Sequence, residues 1–272
     1  MTMTVQDTTH RLRVDGVSKS YGGGPERVNV LADISVDIVD GEFVCIVGPS
    51  GAGKTTLLRC LTGLMPPTAG SISLDGERLR GPDARISIVF QDYTRSLFPW
   101  MTVSRNVELP LQARGVKRHV RRQQVTRVLN DVGLAGTETK YPWQLSGGMQ
   151  QRVAIARALV TGPEVLVMDE PFASVDAQTR LELEDLTLAL KRDQGVTVVV
   201  VTHDIDEAVY MSDRIVVLSK NPATVQEIVS THFGPERDQF STREDPRFGE
   251  LRSHVLGLIR TAQLEALERL SQ

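Results

Sequence analysis

Cysteine is scarce in this chain, with two among 272 residues. Cys45 and Cys60 follow no metal-ligand spacing, so both are expected to be buried thiols in a reducing compartment. Long apolar runs are missing as well. A membrane-spanning helix needs ~20 apolar residues, and the longest run here, VTVVVV from Val196, is strand-sized and β-branched. The opening MTMTVQDTTHRLRV lacks the apolar core of a secretory leader. The chain is therefore expected in the cytoplasm, with any membrane role reached through a partner chain. There is no basic excess either: a formal net charge of −3 speaks against a nucleic-acid partner. Internal repeats and long heptad tracts are also absent.

What remains is an ordinary soluble composition, 40% hydrophobic and 24% charged, in a chain long enough to bury a proper core. Two strand-rich segments, VNVLADISVDIV and SISLDG, flank a strand–loop–helix unit at residues 43 to 62. A second α/β portion begins near Val165, where EVLVMDE and TVVVVTHD are separated by the helical AQTRLELEDLTLALKRD. Buried β-branched runs alternating with helices indicate an α/β fold with a mostly parallel sheet covered on both faces. Between the portions, over about residues 92–160, the strand signal vanishes. TVSRNVELPLQARG and KRHVRRQQVTRVLNDVG read as helices of an inserted helical subdomain. After Asn221 the chain turns polar, then ends in a helix whose Phe248, Leu251, Val255, Leu258 and Ile259 form one apolar stripe. That stripe is expected to pack back on the core.

The chemistry starts at GPSGAGKTT, directly after the apolar strand FVCIV. The pattern G-x-x-x-x-G-K-[ST] in strand–loop–helix context is a phosphate cradle. Gly48, Pro49, Ser50, Gly51, Ala52 and Gly53 would wrap the phosphates, all but Pro49 offering a backbone N–H, and the following helix turns its positive end on them. Lys54 is expected to reach the β- and γ-phosphates, and Thr55, next to Thr56, to hold Mg²⁺. VLVMDEP supplies the opposite wall. Asp169 and Glu170 leave a buried strand at its carboxyl end, where open α/β sheets bind ligands. Asp169 suits the metal, and Glu170 can orient or deprotonate the attacking water. Gln91 after ISIVF could touch metal or water, His203 after VVVVT could bond the γ-phosphate, and Tyr21 could stack on adenine. Each alone reads as a strand-end polar residue, a core-edge histidine or a turn tyrosine; their order makes the set informative. LSGGMQQR offers a second anion site, because Ser146, Gly147 and Gly148 precede a helix whose first amides lack partners.

Together these motifs resemble the ATP-binding subunits of ABC transporters, over about residues 11 to 220. The resemblance implies a P-loop NTPase core of the RecA-like kind with an N-terminal antiparallel β portion, followed by an extension at 221–272. It makes LSGGMQQR the signature, Gln91 the Q-loop residue, His203 the switch histidine and Asp176, in PFASVD, the D-loop acid. Val175 stands where leucine is commoner. Two such subunits meet head to tail, as a homodimer or pseudo-symmetric dimer, and share each ATP between one phosphate loop and the partner's signature. The further partners implied are two membrane permease subunits and, indirectly, a substrate-binding protein, with the chain peripheral on the cytoplasmic face of the cell membrane.

QDYTRSLFPWMTVSRNVELPL and the late FGPERDQFSTREDPRFGELRSHV are similar to the subgroup serving uptake of nitrate, aliphatic sulfonates and taurine. An exporter or lipoprotein-release ATPase is the alternative within transport. A soluble relative acting on DNA or ribosomes is the distant one, since those carry long insertions or two cassettes. Leu97, Phe98, Pro99 and Trp100 form an apolar cluster that either fills the helical subdomain or lines a groove for a permease helix.

Overall fold

The computed structural model describes residues 10–92 and 96–270. Most of the opening MTMTVQDTTHRLRV, residues 1–9, lies outside these. Strands β1 (His10–Tyr21) and β2 (Val28–Val39) come first, followed by β3 (Phe43–Val47), α1 (Lys54–Leu61), β4 (Ala69–Leu74), β5 (Glu77–Arg78) and β6 (Ile86–Val89). Three helices succeed one another, α2 (Val103–Ala113), α3 (Arg118–Asp131) and α4 (Gly147–Leu159). The second α/β portion runs β7 (Val165–Asp169), α5 (Ala177–Gln194), β8 (Thr197–Val201), α6 (Ile205–Met211), β9 (Arg214–Leu218) and β10 (Val225–Ser230). Helices α7 (Ser241–Glu244) and α8 (Pro246–Leu270) follow.

The main sheet has the order β10-β9-β3-β8-β7-β6. Its strands from β9 to β6 are parallel, and β10 is antiparallel at the edge. The second sheet, β2-β1-β4-β5, is antiparallel throughout. Both match the sequence reading, for a simple reason. β3, β7 and β8 are buried at every position, so successive side chains feed two different cores. Phe43, Cys45 and Val47 face the core shared with α2 to α6 and α8. Val44 and Ile46 face the core made with α1 and the antiparallel sheet. Cys45 and Cys60 are free, buried thiols.

The helical subdomain packs Val103, Val107 and Leu111 of α2 with Val125, Val128 and Leu129 of α3 and Val153 and Ile155 of α4. The sheet, however, runs past residue 220: β10 is its edge strand and falls inside the segment assigned above to an extension. Only Val229 of β10 is buried, so an edge strand left no strong apolar pattern to read. In α8, Phe248 and Val255 are buried, and Leu251, Leu258 and Ile259 pack partly buried against the same core.

Candidate nucleotide site

The loop between β3 and α1 takes its shape from its glycines. A β-carbon on Gly48 would lie 2.9 Å from the Leu218 carbonyl oxygen, because β9 runs beside β3. Gly51 and Gly53 both sit at φ +77°, a left-handed conformation that glycine adopts without steric penalty. Gly53 caps α1 without a side-chain hydrogen bond, which leaves first-turn amides for an anion. Within the loop the Ala52 amide donates to the Pro49 carbonyl at 3.1 Å, while Ser50 is exposed. Lys54 is 8% exposed and donates from Nζ to the carbonyls of Gly48 (2.8 Å) and Pro49 (3.1 Å). Burial holds its ammonium below the ordinary lysine range, against the opposing pull of Glu170 and Asp169. Lys220 adds a second cation: its Nζ lies 3.6 Å from where a Gly51 β-carbon would be. Sequence reasoning passed over Lys220, although it lies at the carboxyl end of the strand next to the phosphate-loop strand. The ring of Tyr21 is 40% exposed and its hydroxyl lies 3.4 Å from Thr56 Oγ1.

The carboxylates close the opposite side. Asp169 ends β7 almost fully buried, and the Thr55 hydroxyl donates to its Oδ1 at 3.5 Å. Burial pushes its carboxyl above the usual aspartate range. Glu170 then turns out of the sheet with φ +44°, uncommon for a residue with a β-carbon. Its amide is held by the Val201 carbonyl at 2.7 Å. The Glu170 carboxylate is where the dispersed motifs meet. Oε2 accepts from Gln91 Nε2 at 3.1 Å and stands 3.1 Å from His203 Nδ1. Gln91, Glu170 and His203 come from the ends of three different parallel strands.

A second group forms around α4 and α5. Ser146 is the N-cap of α4, its hydroxyl accepting from the Met149 amide at 3.3 Å, and Ser146 and Gly147 are exposed. Asp176 caps α5, accepting from the Thr179 amide (3.0 Å) and hydroxyl (2.7 Å). These bonds hold its carboxyl below the usual range. A β-carbon on Gly148 would lie 2.2 Å from Thr179 Cγ2, so α4 and α5 pack against each other through one glycine and one threonine.

The apolar segment after Gln91 divides between the two readings. Leu97 is buried in the core, whereas Trp100 is 68% exposed, with its ring centroid 5.3 Å from that of half-buried Phe98. Asn106, fully buried in α2, fixes the segment by accepting from the Phe98 amide and donating to the carbonyls of Phe98, Met101 and Thr102. Sequence reasoning missed Asn106 too; its signal was an amide side chain at a helical position between apolar ones.

Known proteins resemble this chain over most of its length. The ABC transporter family profile matches residues 31–173. An ABC transporter ATP-binding protein of Methanocaldococcus jannaschii is 43% identical over 95% of this chain and 94% of its own. The taurine import ATP-binding protein of Yersinia pseudotuberculosis is 43% identical, covering 91% and 96%. The nitrate import ATP-binding protein of Synechocystis is 38% identical, covering 96% and 99%. Among solved structures, a dimeric ATP-binding cassette in a post-hydrolysis state with ADP and phosphate has a TM-score of 0.70 and 35% identity, covering 82% of this chain and all of that one.

Proposed function

The chain belongs to the ATP-binding subunits of ABC transporters, ATPases coupled to transport, and from that premise we propose how its site works and what it energises. Lys54 and the backbone N–H groups of residues 48–56 other than Pro49 hold the phosphates, and Tyr21 stacks on adenine. Glu170 takes the proton of a water attacking the γ-phosphate, with Gln91 and His203 fixing the carboxylate. The Thr55 hydroxyl, the Asp169 carboxylate and the Gln91 amide oxygen are hard oxygen donors of the kind Mg²⁺ takes. Mg²⁺ there would neutralise charge on the β- and γ-phosphate oxygens. Ser146, Gly147, Gly148 and Asp176 serve the ATP bound to a partner subunit, so that a two-fold pair contains two shared sites. The dimeric state of the similar solved cassette supports this arrangement.

At the cytoplasmic face of the membrane, the pair drives two permease subunits fed by a substrate-binding protein. Phe98 and Trp100, on a segment whose backbone Asn106 pins at Phe98 and Met101, are the anchor for a permease helix. The transported solute is a small anion or organosulfur or nitrogen compound of the nitrate, sulfonate and taurine class, a reading supported by relatives named for taurine and nitrate import. One observation carries the catalytic part: Glu170 Oε2 has Gln91 and His203 each at 3.1 Å, beside a metal-type pair. Glu170→Gln is expected to keep ATP binding and lose most hydrolysis, measured by nucleotide fluorescence and phosphate release. Near-normal hydrolysis by that variant would overturn the assignment.

A further inference from the structure

The middle of α5 and the far end of α6 are held by residues of the C-terminal segment. Glu184 of α5 is a carboxylate only 1% exposed. Its hydrogen bonds come from that segment: Arg243 Nη2 donates to Oε2 at 2.9 Å and Gln239 Nε2 at 3.0 Å. Gln239 Nε2 also donates to the Leu181 carbonyl and to Asp185 Oδ1. On α6, the fully buried Tyr210 is gripped from three directions. Its hydroxyl donates to Asp185 of α5 at 2.7 Å, the Arg243 guanidinium lies 5.1 Å over its ring, and Arg237 Nη1 donates to its carbonyl at 2.7 Å. Arg237 is itself buried and bonds Asp213 at 2.8 Å. Arg243 is stacked against Phe248 of α8 on a further side.

The near ends of the same two helices carry the functional groups. Asp176 caps α5, and His203 lies two residues before α6, whose cap Asp204 accepts from Arg180 of α5 at 3.2 Å. Tyr210 is seven residues from His203, which makes α6 a lever of roughly 10 Å at 1.5 Å per residue. A tilt of about 6° pivoting at Tyr210 swings the His203 end by about 1 Å over that length. That is enough to break a contact of 3.1 Å with Glu170.

We propose that the strap from Arg237 to Arg243 is a positioning device for hydrolysis: by locking α5 to α6 through Glu184 and Tyr210, it sets where His203 stands against Glu170. The inference rests on the role given to His203 and Glu170 above. It assigns to a segment outside the nucleotide motifs a hold on the turnover rate, and makes Arg237, Gln239 and Arg243 positioning residues. A partner that lifted the strap would slow hydrolysis without touching ATP.

The test uses the full chain, with single-turnover hydrolysis at saturating Mg²⁺-ATP, ATP affinity and melting temperature, for Arg243→Ala, Gln239→Ala, His203→Ala and the pairs with His203→Ala. Misplacing a catalytic group by 1 Å lowers rates by up to about a hundredfold. Arg243→Ala is therefore expected to slow hydrolysis about tenfold with ATP affinity within about twofold. In the His203→Ala background the same change should cost less than about twofold, since the group it positions is gone. If Arg243→Ala does not fold, Gln239→Ala, which removes four hydrogen bonds and no charge, is read alone in the same way and is expected to lose about threefold. Unchanged hydrolysis in the folded strap variant, or a loss repeated in full without His203, overturns the proposal. His203→Ala hydrolysing at the parental rate would instead sink the reading of the site itself.

Discussion

Replacing Gly148 by alanine tests whether the first turns of α4 and α5 form one packed unit. The added β-carbon would stand 2.2 Å from Thr179 Cγ2, where carbon atoms normally rest at about 3.5–4.0 Å. Thr179 cannot rotate away freely, because its amide and hydroxyl are both bonded to Asp176. Either α4 or α5 must shift, and overpacking of this kind costs about 1–3 kcal/mol. At roughly 2–4 °C per kcal/mol for a domain of this size, the melting temperature should fall by about 2–12 °C. Ser146 and Asp176 move with their helices, so ATPase activity should fall as well. Thr179→Ser supplies the decisive comparison. It deletes Cγ2 and keeps the hydroxyl bonded to Asp176, and the remaining Cβ and Oγ1 lie at 3.5 and 3.7 Å, ordinary contact distances. The double variant Gly148→Ala/Thr179→Ser should therefore recover most of both losses, in scanning fluorimetry and in phosphate release. A Gly148→Ala variant that melts with the parent, or a double variant with no recovery, would refute the packing argument.

Glu207 gives a pH prediction. Burial raises its carboxyl to about 7, with Thr202 as its hydrogen-bond donor. In the folded chain it keeps its proton up to that pH, whereas the unfolded chain releases it near 4.5. Stability should thus fall as pH rises from about 4.5 to 7, by on the order of 3 kcal/mol, and Glu207→Gln should remove that slope in melting curves; identical pH profiles for both proteins would exclude it. Leu97→Ala should destabilise the subunit by about 2–5 kcal/mol. Exposed Trp100→Ala should leave the melting point near the parent's and reduce copurification with the permease, an outcome reversed if Trp100 belonged to the core. Lys54→Ala should weaken ATP binding in the same chain, measured by fluorescence titration; parental affinity would contradict the role of its ammonium.

The sequence made the buried strands legible because both faces of FVCIV, VLVMD and TVVVV are apolar, a pattern that solvent-facing segments do not sustain. It made the phosphate loop legible because a tight left-handed turn and close passage of β9 leave room only for glycine at Gly48, Gly51 and Gly53. β10 stayed hidden for the opposite reason: an edge strand with one buried residue has no such pattern. Gln91, Glu170 and His203 could be read as strand-end polar residues, but their meeting on one carboxylate oxygen is a product of parallel strand order. The strap residues Arg237, Gln239 and Arg243 looked like part of a polar, turn-rich tail. Their meaning comes from Glu184 and Tyr210, residues more than twenty positions away, and spacing along the chain carries no trace of such contacts.

The proposed mechanism requires that one ATP be shared between the phosphate loop of one subunit and Ser146, Gly147 and Gly148 of its partner. Size-exclusion chromatography with light scattering on Glu170→Gln, with and without Mg²⁺-ATP, tests it directly, because slowed hydrolysis preserves the shared nucleotide. Glu170→Gln should run as a dimer only with ATP. Adding Ser146→Arg should return it to monomer while the monomer still binds ATP. An ATP-dependent dimer that survives Ser146→Arg, or a Glu170→Gln protein that binds ATP yet stays monomeric, would contradict a nucleotide shared between subunits.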